Sequence, residues 1–514
     1  MKHLTVSLLT LFFLQSELST HAQSAKPVFK DGQAQIVEAF SNPEEWIRED
    51  LWVETEFDTD GDGRMDRVHV DVTRPRQTET EGLKLPVVYE TSPYYAGTAG
   101  MAKGLFWNVN HELGATPPPR THVEVTRRGE RPVISNSQIR TWVPRGYVVV
   151  HSSSPGTGLS DGSPTVGGDN ESLAPKAVIE WLAGKDNGYK SREGNEKIKA
   201  TWSTGKVGMT GTSYNGTLPL AAATTGVDAL KAIIPVAPNT SYYHYYRSNG
   251  LVRSPGGYLG EDIDVLYDFI HSGKEENRPY NNRTVRDTEM ANNLDRITGD
   301  YNDFWAGRDY LNEMGSMKAA LLMSHGFNDW NVMPEHSFRI SMKAKEMGLP
   351  VQIYYHQAGH GGPPPIAMMN KWFTKYLHGV DNKVEEDPRA WIVREGDKQG
   401  DPTPYADYPN PAAKNVMLYP SKGGQKAGGL SFKKVKKVKE TLIDDVSYDG
   451  KTLAMADESN NRLLYVTPTL KEDLHLSGLS EIKISLASSK PAANLSVWLV
   501  SLPWQEEGRI YDNI

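Results

Sequence analysis

The sequence predicts an α/β protein built on a buried parallel sheet, with a helical insertion within it and a β-sandwich after it. Three observations predict this. Short apolar strands alternate with amphipathic helices between residues 85 and 355. That rhythm breaks from about Asn239 to Lys318, a Tyr- and Asn-rich interval with several helical stretches. Beyond about Tyr405 the helical signal fades into short alternating stretches spaced by Gly and Pro.

In chain order, Lys2 and His3 precede an apolar run from Leu4 to Leu14 and a small, polar exit ending Thr20-His21-Ala22. This is the layout of a signal peptide cut after Ala22, and it predicts a periplasmic or extracellular location. No later segment reaches the roughly 20 apolar residues of a spanning helix. From Trp52 to Val72, alternating apolar residues flank the turn Asp58-Thr59-Asp60-Gly61-Asp62-Gly63, as in a β-hairpin. Leu85–Tyr89 and Gly146–Val150 read as strands buried on both faces. Glu171–Leu182 is spaced as a helix, Lys206–Thr210 as a strand, Ser213 to about Thr224 as a helix, and Ala232–Val236 as a strand. After the insertion come a strand at Ala319–Ser324, a helix at Pro334–Met347 and a strand at Val351–Tyr355. Val416–Tyr419, Leu463–Val466, Ile482–Leu486 and Leu495–Leu499 supply the final sandwich, and the lysine-rich Lys433–Lys439 reads as cover for an edge strand. The chain thus divides into a leader (1–22), an α/β domain in two parts (23–238 and 319–404), a helical cap insertion (239–318) and a C-terminal β-domain (405–514).

Composition narrows the function. Hydrophobic residues make up 38% and charged residues 23% of 514, the balance of a soluble globular protein. With 64 acidic against 56 basic residues, the net charge of −8 lacks the basic footprint that nucleic acid requires. There is no cysteine, which excludes disulfides, thiolate metal sites and a cysteine nucleophile.

Gly211-Thr212-Ser213-Tyr214-Asn215-Gly216 contains G-x-S-x-G between an apolar strand and a helix. A serine at that junction stands on a sharp turn above the sheet, and the Tyr214 N–H at the helix start is placed to stabilise an oxyanion. A serine nucleophile needs a base and an acid group that orients the base, found later in the chain on this kind of fold. Two strands run into loops that supply them: Asp329 after Ala319–Ser324, and His360, flanked by Gly359 and Gly361, after Val351–Tyr355. His325 and His356 sit beside the same loops as rivals. The loop after Leu85–Tyr89 holds Tyr94, whose hydroxyl offers a second oxyanion donor.

Together, Ser92-Pro93-Tyr94-Tyr95, the Gly211–Gly216 motif, Gly326-Phe327-Asn328-Asp329-Trp330-Asn331-Val332 and Gly359-His360 resemble the Xaa-Pro dipeptidyl-peptidases. That serine peptidase family also holds cocaine-esterase-like and α-amino-acid ester hydrolases. The likeness extends through Trp372-Phe373, Tyr376–Val380 and Ala390–Gly396. It implies an α/β-hydrolase with a helical cap and a C-terminal jelly-roll β-sandwich. Family members continue past the point where this chain stops, at Ile514, so an incomplete or shortened β-domain is implied. By the same resemblance the substrates are peptides with proline at the second position. Tyr242, Tyr245 and Val332 match the proline pocket, with Tyr242 where tryptophan is expected, and Glu261 and Asn331 match the ammonium site. Glu261 also reads as a solvated acid at a helix start, beside Asp262 and Asp264. An ester or β-lactam acyl hydrolase is the alternative activity.

Asp58, Asp60, Asp62 and Asp66 have the oxygen spacing of a calcium loop, but His69 stands where the distal Glu belongs. A structural calcium and a tight acidic turn both fit. The proposed chemistry calls for no cofactor.

Overall fold

The computed structural model describes residues 25–502 except 96, 100–123, 128–135, 249, 256, 257, 259, 446 and 491–494. The leader and the segment from 503 onward lie outside the described residues.

The hairpin forms from β1 (Ile47–Glu54) and β2 (Arg67–Arg74), with Trp52 opposite His69. β3 (Leu85–Ser92) is buried along its whole length, and β4 (Val148–Ser153) likewise. There follow α1 (Asp169–Leu182), the short β5 (Gly188–Tyr189), β6 (Ser203–Thr212), α2 (Tyr214–Thr224) and β7 (Leu230–Val236). The insertion contributes α3 (Tyr242–Tyr246) and α4 (Ile263–Ile270) among shorter helical turns. The chain then returns through β8 (Ala320–Gly326), α5 (Glu335–Glu346), β9 (Val351–His356), α6 (Ile366–Phe373), β10 (Ala390–Ile392) and β11 (Thr403–Tyr405).

All eleven strands join one sheet in the order β11-β10-β9-β8-β7-β6-β3-β4-β2-β1-β5. Strands β10 through β4 of that order run parallel, and antiparallel partners close both edges. Successive strand residues point to opposite faces. Val87, Tyr89, Val148, Val150, Val207 and Met209 therefore fill one core layer. Val88, Val149, Ala232, Ile234 and Leu322 pack on the other with Trp142, Trp372 and Phe373. Two-sided burial explains why these strands read as continuous apolar runs rather than as alternation.

The insertion is braced internally by buried charge. Arg247 and Asp262 are 0% and 1% exposed at the side chain and make two contacts of 3.2 Å. Arg296 adds a third donor to Asp262 through Nε at 2.8 Å and reaches Asp264 through Nη2 at 2.7 Å.

The C-terminal region departs from the expected jelly-roll sandwich. Its described residues form a three-stranded sheet of β12 (Tyr419–Pro420), β13 (Gly428–Ser431) and β14 (Tyr465–Val466), with one short helix, α7 (Gly450–Met455). Ile482, Ile484 and Leu486 are 54%, 52% and 59% exposed, with no strand assigned to them. Alternating apolar residues make a sandwich only where a second layer covers them, and no described residues do so here. The lysine run follows β13 instead of lying on a strand.

Replacing Arg247 by Met leaves Asp262 buried with one fewer cation. The expected cost is about 3 kcal/mol, seen as a lower thermal unfolding midpoint. An unchanged midpoint would show that Arg296 alone suffices.

Candidate active site

The strand–helix junction after β6 is forced into a strained turn. Ser213 has φ 64° and ψ −126°, outside the regions a serine ordinarily occupies. A Cβ on Gly211 would stand 2.3 Å from the Asn215 carbonyl oxygen, and one on Gly216 would stand 2.6 Å from that of Val236. Only glycine permits both approaches. The Ser213 N–H donates to the Val236 carbonyl at 2.9 Å, and the Ser213 carbonyl accepts from Gly216 and Thr217. Its hydroxyl is not spent on capping α2. The Tyr214 N–H belongs to the first turn of α2, where the backbone donors lack intrahelical acceptors.

Asp329 lies just beyond β8 and is 2% exposed. Its Oδ1 accepts from the N–H groups of Asn331 at 3.0 Å and Val332 at 2.9 Å. Its Oδ2 meets His360 Nδ1 at 2.7 Å and His325 Nε2 at 3.2 Å. Burial acts to raise this carboxyl, but the hydrogen bonds and charges of His325 and His360 together hold it well below the usual carboxylate range. The loop carrying His360 rests against the serine turn: a Cβ on Gly361 would touch Thr212 Cγ2 at 3.8 Å.

The rival histidines are held in other contacts, His325 with Asp329 among them. Ala358 N–H donates to His356 Nδ1, so Nε2 carries the proton and donates to the Gly361 carbonyl at 3.0 Å. His356 is thus a scaffold for the His360 loop. His325 is wholly buried, with Nε2 also 2.8 Å from the Val332 carbonyl and Nδ1 on Ser337.

Beyond β3, the Tyr94 ring stands edge-on to Tyr214 at 5.9 Å between centroids and tilts on Phe269 at 6.1 Å. Burial raises the Tyr94 phenol, with the nearby Glu261 charge adding to the effect, so it remains an O–H donor. The Tyr214 hydroxyl donates to both oxygens of Glu171 at 2.8 Å, and Glu171 also accepts from Gly167 N–H at 3.0 Å.

From the insertion, Tyr245 O–H donates to Asn331 Oδ1 at 3.3 Å, beside the buried Val332. Glu261 is 9% exposed and accepts from Tyr246 O–H at 2.7 Å. Burial, with a smaller contribution from Asp262, pushes its carboxyl up to about 7 although the Tyr246 bond opposes this. Among the described residues no cation pairs with Glu261, because Arg247 and Arg296 are taken by Asp262 and Asp264. The solvated-acid reading of Glu261 is therefore replaced by a buried one. Tyr242 is packed edge-on to Tyr214 at 6.0 Å. Motif reading names His325 only as a rival base and gives no role to Tyr246 or Glu171, which the fold brings onto Glu261 and Tyr214.

In the acidic loop, Asp58, Asp60 and Asp66 bring one carboxylate oxygen each within 4.8 Å of one another. Asp62 is not in that group. Donors already reach these carboxylates: Gly61 and Gly63 to Asp58 and Thr59 to Asp66 from within the loop, and Gly162 and Asn277 to Asp60 from outside it.

A parallel sheet, a serine on a strained turn and an aspartate–histidine pair at the strand ends define a hydrolase of the α/β type. The model of the X-Pro dipeptidyl-peptidase (S15 family) matches residues 60–362, and that of the X-Pro dipeptidyl-peptidase C-terminal non-catalytic domain matches residues 382–508. The chain belongs to this S15 family of serine peptidases. A putative Xaa-Pro dipeptidyl-peptidase of Rhodopirellula baltica is 58% identical over 519 residues, spanning 100% of this chain and 83% of that protein. Another, from Bacillus anthracis, is 39% identical over 465 residues, spanning 89% and 74%. Among solved structures, an α-amino acid ester hydrolase shares the fold at TM-score 0.51 and 17% identity, over 83% of this chain and 69% of that one.

Glu90, Glu261 and Asp66 are each raised to about 7, chiefly by burial. A carboxyl raised in the folded state holds its proton more tightly there than when unfolded. Its contribution to stability is complete below the unfolded value of about 4 and is lost as pH rises through about 7. The thermal midpoint is expected to fall between about pH 4 and pH 7, less steeply in Glu261→Gln. Parallel slopes for the two proteins would refute the neutral state of Glu261.

Proposed function

We propose that this protein is an exported serine exopeptidase that releases Xaa-Pro dipeptides from peptide N-termini. The observation that carries the reading is Glu261, a buried carboxyl with no cation among the described residues, within electrostatic reach of the Tyr94 that flanks the serine turn. Such a group binds a free ammonium, which an exopeptidase must recognise and an amine-independent esterase need not. In this reading Asn331, which accepts from Tyr245, adds an amide to the ammonium site, and Tyr242, Tyr245 and Val332 form the walls of a proline pocket. The signal-peptide layout at the N-terminus supports export to the periplasm or medium.

In this mechanism Ser213 Oγ attacks the carbonyl carbon of the second residue while His360 Nε2 takes its proton. Asp329 holds Nδ1–H and stabilises the imidazolium. The Tyr214 N–H and the Tyr94 hydroxyl bind the tetrahedral oxyanion. Collapse breaks the C–N bond, and His360 returns the proton to the departing amine. Water, deprotonated by His360, then attacks the acyl ester and frees the dipeptide and Ser213.

Ala-Pro-p-nitroanilide should be cleaved and its N-acetyl form left intact, with activity abolished in Ser213→Ala. Glu261→Gln is expected to lower kcat/KM roughly 10- to 100-fold, from about 1.5–3 kcal/mol of charged hydrogen bonding. Equal cleavage of both substrates would overturn the ammonium reading, and turnover of phenyl acetate alone would move the activity to the ester or β-lactam hydrolase branch. Replacing Asp329 by Asn should reduce kcat about 10⁴-fold by releasing the histidine tautomer, with the Michaelis constant nearly unchanged.

A further inference from the structure

A second buried carboxyl lies beneath the serine turn with no part in the mechanism above. Glu90, in β3, is 7% exposed and is paired in register with His151 of β4. Its Oε1 accepts from Asn215 Nδ2 at 3.0 Å, and the same amide nitrogen stands 3.4 Å from the Tyr95 hydroxyl. Its Oε2 faces His151 Nε2 at 4.0 Å, too far for a hydrogen bond. Among the described residues, Glu90 Oε2, both ring nitrogens of His151 and Asn215 Oδ1 are buried with no partner at full hydrogen-bond geometry, although Tyr95 and Gln138 stand near the Glu90 carboxyl.

Unpartnered buried polar atoms cost about 1–3 kcal/mol each. Apolar side chains would serve a purely structural role here better, so this cluster calls for another explanation. Its location supplies one. Asn215 directly follows Tyr214, and Tyr94 lies four residues after Glu90. One carboxyl therefore ties together the two segments that carry the oxyanion donors.

We propose that Glu90 is a positioning residue of the oxyanion site, gripping the Asn215 amide so that the Tyr214 N–H stays in register with the strand that delivers Tyr94. The inference rests on the assignment of those two donors above. The groups facing Glu90 are Asn215 from α2, His151 from β4, Gln138 and its own neighbour Tyr95. None is a cation at neutral pH, since burial pushes His151 down to about 3. Glu90 itself, raised to about 7 by burial, grips Asn215 as a neutral acid. Its ionisation would place a negative charge close to the developing oxyanion and oppose it.

The test compares wild type, Glu90→Gln and Glu90→Leu with Ala-Pro-p-nitroanilide and, in parallel, phenyl acetate from pH 5.5 to 9. Glu90→Leu should lose roughly 10- to 100-fold in kcat, less than removal of an oxyanion donor outright, with KM within about threefold. Glu90→Gln, which keeps the acceptor, should restore most of kcat at pH 6 and lack a wild-type decline centred near pH 7. Should Glu90→Leu fail to fold, the two pH profiles decide: superimposable profiles for Glu90→Gln and wild type overturn the proposal. So does a folded Glu90→Leu protein with undiminished kcat. Because the ester also passes through an oxyanion, it reports on Glu90 even where the dipeptide substrate is not cleaved, which separates failure of this inference from failure of the Xaa-Pro reading.

Discussion

The site depends on one close approach of backbone to backbone. Between Gly211 and Gly216 the chain turns from the centre of a parallel sheet into a helix, with no room for a side chain at either glycine. Ser213 is left at positive φ, a conformation that costs on the order of 1–3 kcal/mol and persists only where its surroundings over-determine it. Here β3 and β7 flank β6, and the Val236 carbonyl anchors the Ser213 N–H. The same turn brings Tyr214 against Tyr94 and sets the floor on which the His360 loop rests.

Around that turn the protein sorts its buried carboxyls into two electrical states. Asp329 has two histidines and two backbone N–H groups, enough to outweigh its desolvation and keep it ionised. Glu90 and Glu261 have neutral partners only, and burial dominates. Residues of one chemical type are thus shifted in opposite directions within a single site, decided by whether a donor can itself carry positive charge.

Much of this arrangement was legible in the sequence, for identifiable reasons. Strands buried on both faces leave apolar runs, glycines mark the sharp turn, and Asp329 and His360 follow such runs directly. Ser213, Asp329, His360 and Tyr94 could be named because strand ends of an open sheet share one edge. Glu90 and Glu171 could not. Glu90 is the one acid of an apolar strand and Glu171 one of several acids on its helix, and their partners lie 125 and 43 residues away. Nor does periodicity show whether a second layer exists. It groups Ile482, Ile484 and Leu486 on one face, while their exposure depends on what is packed opposite.

The adjacency of Glu261 and Asp262 has a further consequence. Asp262 is locked by two guanidinium groups and by the N–H of Ile263, so the backbone that carries Glu261 is a fixed post. In the proposed ammonium-binding role its carboxyl works as a gauge, set to the reach of one side chain from an immovable base, and substrates whose amine sits a bond nearer or farther are then discriminated by length alone. Under the same proposal, adaptation toward them runs through exchanges of side-chain length at position 261, because sliding the post would break the charge network within the insertion.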